Sequence, residues 1–236
     1  MPPPTQADIV GLLASYAYAF ALLLLVEGLG RALKWPAFTT RKLIHIGAGM
    51  WVWGILALFE QWQYGVIPFA TFILLNYAFY RLKVFRQMDG ESETLGTVYF
   101  AVSITILFLA FWPADRVAIA AAATMIMTWG DALAALIGRY YGKREYTTFG
   151  HTRTLEGSIV FVVAAFVAAG LTLGLVPGSN LAPTHATMTP SAALLLSVGG
   201  VAVGAAAEAA SPRGLDNLTV PLGAGLIMGL LSTLVM

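Results

Sequence analysis

The chain has 236 residues, 58% of them hydrophobic and only 11% charged, with a formal net charge of +1. No ordinary water-soluble domain has that composition, and nothing in it calls for a nucleic-acid partner. The absence of cysteine excludes disulfides, thiolate metal ligands and thiol nucleophiles.

Apolar runs of about 17–25 residues mark membrane-spanning helices. They occur near 7–27, 43–59, 64–80, 97–112, 115–138, 155–176, 192–210 and 218–236, the second to fourth being short. Short connections leave no room for a separate soluble domain, so residues 1–236 read as one all-α, polytopic helical bundle of about eight helices. The first run lacks the basic flank of a signal peptide and is too long for one, so it reads as a retained helix.

The first polar segment, Thr39-Thr40-Arg41-Lys42-Leu43-Ile44-His45-Ile46-Gly47-Ala48-Gly49, leads into the second helix. Arg41, His45 and Gly49 are four apart and share one face. A basic membrane anchor with a satisfied histidine explains it as well as a site does. Residues 60–64 form a short turn with interfacial aromatics. Between Asn76 and Gly96 acids and bases mix as in a solvated loop, with Asn76 and Glu93 at helix ends where each could face a site.

Asp131 is a lone carboxylate inside an apolar helix. Such a group costs roughly 2.5–3.5 kcal/mol on insertion, so its default reading is functional. Asp131, Ala135, Gly138 and Gly142 then make a stripe of small residues ending at Lys143 and Arg144. Small residues let membrane helices approach closely, and glycine also lets phosphate approach backbone amides. The spacing is not that of a P-loop. The segment closes on His151-Thr152-Arg153-Thr154-Leu155-Glu156-Gly157-Ser158, where Thr154 or Glu156 can cap the next helix.

Residues 177–191 are rich in Pro, Ser and Thr, without acid or strong base. The last polar segment runs from Glu208, at the end of a helix of Ala and Gly, to Asp216-Asn217, either a helix cap or part of a site. Asp131, Glu208 and Asp216 together make an oxygen-rich set suited to Mg²⁺. With eight helices, every Lys and Arg except Arg116 falls in loops on one side. The positive-inside rule puts that side in the cytoplasm, the active site with it, and both termini opposite.

Four elements carry a resemblance: Arg41-Lys42-x-x-His45; Gly130-Asp131-x-x-Ala134-x-x-x-Gly138-x-x-x-Gly142; Arg153-Thr154-x-Glu156-Gly157-Ser158; and Glu208-x7-Asp216-Asn217-x-Thr219-Val220-Pro221-Leu222. In this combination and order the chain resembles the membrane-embedded polyprenol kinases, which include dolichol kinases, phytol kinases and a diacylglycerol kinase branch. The ending looks closest to the phytol kinase branch. The resemblance implies transfer of a phosphoryl group, with Mg²⁺, from CTP or another nucleoside triphosphate to the hydroxyl of an isoprenoid alcohol in the bilayer. It implies nucleotide binding along Gly130–Ser158, hence phosphate contacts from Gly138, Gly142, Lys143, Arg144, Arg153 and Thr154, with Arg41 and Lys42 as further cationic candidates. Arg153 stands where the family pattern has lysine, so charge is kept while donor geometry changes. Asp131, His45 and Glu156 are the catalytic candidates, Asp131, Glu208 and Asp216 the metal candidates, and Asn76, Glu93 and Asn217 further ones. A cytidylyltransferase making CDP-lipid shares the basic-Thr-x-Glu-Gly element, and a transporter of an anionic solute is the non-enzyme alternative. No internal repeat favours the transporter.

Overall fold

The computed structural model describes residues 1–83, 94–212 and 214–235. Glu93, Arg86 and Arg213 lie outside them. Eight helices fill the described residues: α1 (Gln6–Ala32), α2 (Ala37–Leu58), α3 (Trp62–Leu82), α4 (Gly96–Phe111), α5 (Val117–Tyr141), α6 (Leu155–Leu175), α7 (Pro190–Ala210) and α8 (Asp216–Val235). The all-α membrane bundle expected from composition is what forms. All of these but α2 and α4 are long and apolar enough to cross a membrane, and α4 is a shorter apolar helix.

α5 occupies the centre. Residues 117–127 are almost fully enclosed, and the alanines at 118 and 120–123 present so little bulk that α4, α6 and α8 all pack on this segment. The hydroxyls of Thr124 and Thr128 donate to the carbonyls four residues back, each at 2.8 Å, and are thereby satisfied without water. Midway, Ile126–Asp131 winds as a π-helical turn, a widening that often accompanies functional sites. Gly49 of α2 meets this widened turn directly. A Cβ there would collide with the Thr128 side chain, so only glycine permits this approach.

α1 lies at the periphery and packs on α2 and α3. Thr5 and Asp8 form a capping box at its start. Buried Asp8 also accepts from the backbone N–H groups of Glu60 and Gln61 at 3.1 and 3.2 Å, which ties the α2–α3 turn to the beginning of α1.

By its position between two apolar runs the connection from α5 to α6 reads as a loop. It is instead an antiparallel hairpin, β1 (Glu145–Thr148) with β2 (His151–Thr154). Its turn residues, Phe149 and Gly150, have φ of 46° and 78°, as a two-residue type I′ turn requires. At the opposite end of the bundle, the 176–189 connection inserts His185 until it is 1% exposed. Its Nδ1 accepts from the backbone N–H of Ala118 at 3.4 Å, capping an orphan donor at the start of α5.

Candidate active site

A cavity of about 300 Å³ opens among α1, α2, α3, α4 and α5, with the start of α8 at its rim. Its polar end gathers Arg41, Lys42, His45, Asn76, Asp131, Arg153, Asp216 and Asn217, all singled out from the sequence. The rest of the wall is mostly apolar and aromatic, from Leu22, Leu23 and Phe72 down to Trp51, Phe69 and Ile104, with the hydroxyl residues Ser15, Thr94 and Thr97 among them.

Asp131 is the hub of the polar end. The π-helical turn directs it toward the first turns of α2, where Lys42 donates to Asp131 Oδ2 at 2.5 Å. One turn further along α2, His45 Nε2 lies 3.8 Å from the same oxygen and 3.5 Å from the Met127 carbonyl. The imidazole packs against Phe100, with ring centroids 4.4 Å apart. The Arg41–His45–Gly49 face read from the sequence is therefore the face α2 turns to α5 and the cavity.

The start of α8 supplies the second acid. Asp216 is buried, and its Oδ1 accepts from the Asn217 backbone N–H at 3.0 Å and from Asn217 Nδ2 at 3.1 Å. Asn76 Nδ2 donates to the Thr97 carbonyl, fixing α3 to α4 at the rim.

Asp131, Glu208 and Asp216 interact electrostatically, as the sequence reading required. Only two of the three face the cavity. Glu208 Oε1 is taken by Arg153, whose Nε lies 3.1 Å away, while Arg153 Nη2 donates to the carbonyls of Glu208 and Ser211. Among the described residues, no group of three or more His, Asp or Glu side chains is arranged to hold a metal ion. The three-carboxylate set thus contracts to the pair Asp131 and Asp216, which suits a hard cation that takes one or two carboxylates and completes its shell with phosphate oxygens.

The remaining candidates lie elsewhere. Glu156 accepts from the backbone N–H groups of Lys143 and Arg144 at 3.1 and 3.2 Å, so it fixes the root of the hairpin away from the cavity wall. Thr154 caps α6 by accepting from the Gly157 N–H at 3.2 Å. Gly138 and Gly142 face Thr154, and Gly157 faces the backbone of α5. The small-residue stripe therefore serves close packing of α5 on α6, and the space above its glycines is filled by Thr154 and Gly157. Lys143 and Arg144 leave their side chains exposed at the hairpin root.

Three features had no charged signal in the sequence: the π-helical turn, the hairpin, and the apolar wall of the cavity. The hairpin did have a local one. Residues 145–154 carry β-branched and aromatic residues on both sides of Phe149-Gly150.

Comparison with known proteins adds an independent observation. The chain is 34% identical over 220 residues to a phytol kinase of Synechocystis sp., covering 92% of this chain and 89% of the relative. It is 28% identical over 143 residues to a chloroplastic farnesol kinase of Arabidopsis thaliana, covering 55% of this chain and 45% of that one. A probable chloroplastic phytol kinase 2 of Oryza sativa is 26% identical over 186 residues, 71% of this chain and 60% of the relative. No family model matches the chain, and no solved structure matches it.

Proposed function

The chain belongs to the phytol and polyprenol kinase family, and from that premise we propose that it phosphorylates the hydroxyl of an isoprenoid alcohol, with CTP as donor, at the cytoplasmic face of a membrane. One observation carries the reading. A single cavity has a charged end, with Lys42, His45, Asp131, Arg153 and Asp216, and a largely apolar remainder walled by helices. An amphiphilic acceptor fits that polarity, with its hydroxyl at the charged end and its tail along the aromatic wall. A triphosphate reaches the same end from water. The clustering of Lys and Arg on that side supports its being cytoplasmic.

Phosphoryl transfer asks the protein for alignment and charge neutralisation more than for covalent chemistry. Lys42 and Arg153 supply fixed positive charge beside the reacting group. Asp131 and Asp216 would hold Mg²⁺, which supplies charge neutralisation on the phosphate oxygens. With its Nε2 hydrogen toward Asp131 and the Met127 carbonyl, His45 keeps its Nδ1 lone pair to take the hydroxyl proton, and Asp131 at 3.8 Å stabilises the imidazolium that results. Asn76 and Asn217 line the rim and bring amide groups to the acceptor hydroxyl or the nucleotide. Glu156 acts through the backbone of Lys143 and Arg144, as a positioning residue for the loop that meets the nucleotide.

The test is reconstitution with CTP labelled at either the α or the γ phosphate, alongside ATP, UTP and GTP, with phytol, farnesol, geranylgeraniol and diacylglycerol. Label from the γ position in the isoprenoid alcohol is the expected result. Label from the α position in the lipid would instead mean a cytidylyltransferase. No transfer to any isoprenoid alcohol would overturn the proposal.

A further inference from the structure

The cavity has a floor. On each helix that contributes several residues to the wall, the lining ends about two to three turns from the charged end. It runs from Leu23 to Ser15 on α1, from Asn76 to Pro68 on α3, from Thr97 to Ile104 on α4, and as far as Trp51 on α2. Trp51 closes the far end and is held from three directions. Its Nε1 donates to Ser15 Oγ at 3.0 Å, and Ser15 in turn donates to the Gly11 carbonyl at 2.7 Å. Its ring stacks on Tyr18, with centroids 4.2 Å apart and planes 16° from parallel, while the Tyr18 hydroxyl donates to the Gly47 carbonyl at 2.7 Å. On its own helix the ring lies over Gly54, where a Cβ would approach it to 2.6 Å. A side chain so constrained is a wall that a tail cannot push aside at low cost.

Resting on the kinase reading above, we infer that Trp51 is the chain-length stop of the acceptor site, and that the enzyme takes short isoprenoid alcohols and rejects long polyprenols. Lys42 and Trp51 are nine residues apart on α2, which at helical rise is a depth of ~14 Å. A carbon chain with ~1.5 Å bonds advances roughly 1.25 Å per atom, so about 11 in-line carbons span that depth. A three-unit isoprenoid reaches the floor nearly extended. A four-unit chain must bend once. A chain of ten units exceeds that depth about threefold or more.

The experiment compares farnesol, geranylgeraniol, phytol and a ten-unit polyprenol on the reconstituted enzyme and on two variants chosen to act in opposite directions. Trp51→Ala opens the floor and is expected to raise the kcat/KM ratio of the ten-unit to the three-unit alcohol at least tenfold. Ala48→Phe, one turn nearer the charged end on the same lining face, is expected to lower the ratio of geranylgeraniol to farnesol at least tenfold. A measurement on the unmodified enzyme needs neither variant. Straight-chain primary alcohols, as competitors at equal concentration in the bilayer, should gain affinity with each carbon and level off near the length that reaches Trp51. Steady gain well beyond that length, or ratios unchanged in both folded variants, overturns the floor while leaving the kinase reading intact. Failure of the unmodified enzyme to phosphorylate any isoprenoid alcohol overturns that reading and, with it, this one.

Discussion

Replacing Lys42 with methionine keeps most of the side chain's volume and removes the ammonium that neutralises Asp131. The lysine and aspartate side chains are only 12% and 8% exposed. An exposed pair would contribute about 1 kcal/mol or less. Stripping a buried carboxylate of its partner costs about 3–5 kcal/mol. One feature places the cost at the lower end: the pair borders a cavity that admits water. Lys42→Met should therefore lose about 3 kcal/mol of stability, a fall of roughly 6–12 °C in Tm for a chain of this size. Asp131→Asn, which leaves the ammonium unpaired, should cost a similar amount. The double variant has neither orphaned charge and should unfold at a higher temperature than either single variant. Thermal unfolding of all four proteins in the same detergent measures this. If the two losses simply add in the double variant, to within about 0.5 kcal/mol, the pair is not coupled and Asp131 is neutralised some other way.

Asp131→Asn should also abolish phosphoryl transfer in protein that remains folded, and turnover near that of the unmodified enzyme would remove Asp131 from the proposed chemistry. Lys143→Ala and Arg144→Ala should each raise KM for the nucleotide several-fold with little change in stability, because their side chains are exposed. Arg153→Ala should do both, since it also releases Glu208; equal effects from all three would contradict that distinction. Cysteines introduced at Ser179 and Arg144, in a chain that has none, should react with an impermeant reagent from opposite sides of the membrane. Burial lowers the pKa of His185 below its ordinary value of 6.5, with Arg116 reinforcing and Asp115 opposing. The stability it contributes is therefore complete above about pH 6.5 and lost as pH falls through the lowered value. Tm measured from pH 8 to 5 should drop less steeply in His185→Gln.

The helices were legible because membrane insertion demands apolar runs, and the eight runs lie where α1 to α8 form, although α2 and α4 fall short of the length or hydropathy of a span. The charged end of the cavity was legible for the same reason: Asp131, His45 and Asp216 are costly in apolar surroundings and stand out. Partnership was less legible. Lys42 read as a phosphate ligand and is first of all the counter-ion of Asp131, while Glu208 read as a metal ligand and is held by Arg153. Nothing in residue type alone decides which of several nearby charges pair. Gly138 and Gly142 fitted two explanations equally, and only the position of Thr154 distinguishes them. Trp51 carried no signal at all, since a tryptophan in a membrane helix is unremarked until its three contacts are seen.

The widened turn at Ile126–Asp131 makes α5 a helix in two phases. A regular helix turns by about 100° per residue, so rewinding the same six residues as regular α-helix, with the chain length unchanged, would swing everything beyond the turn around the axis by roughly one residue's rotation. Asp131 would leave Lys42, Ala135 would leave the cavity wall, and Gly138 and Gly142 would leave Thr154 in one movement. The reacting end of the cavity and the seat of the hairpin are thus geared to one backbone irregularity. A substitution that keeps this winding keeps that register, whereas one that drives the turn to regular α-helix at the same length loses it.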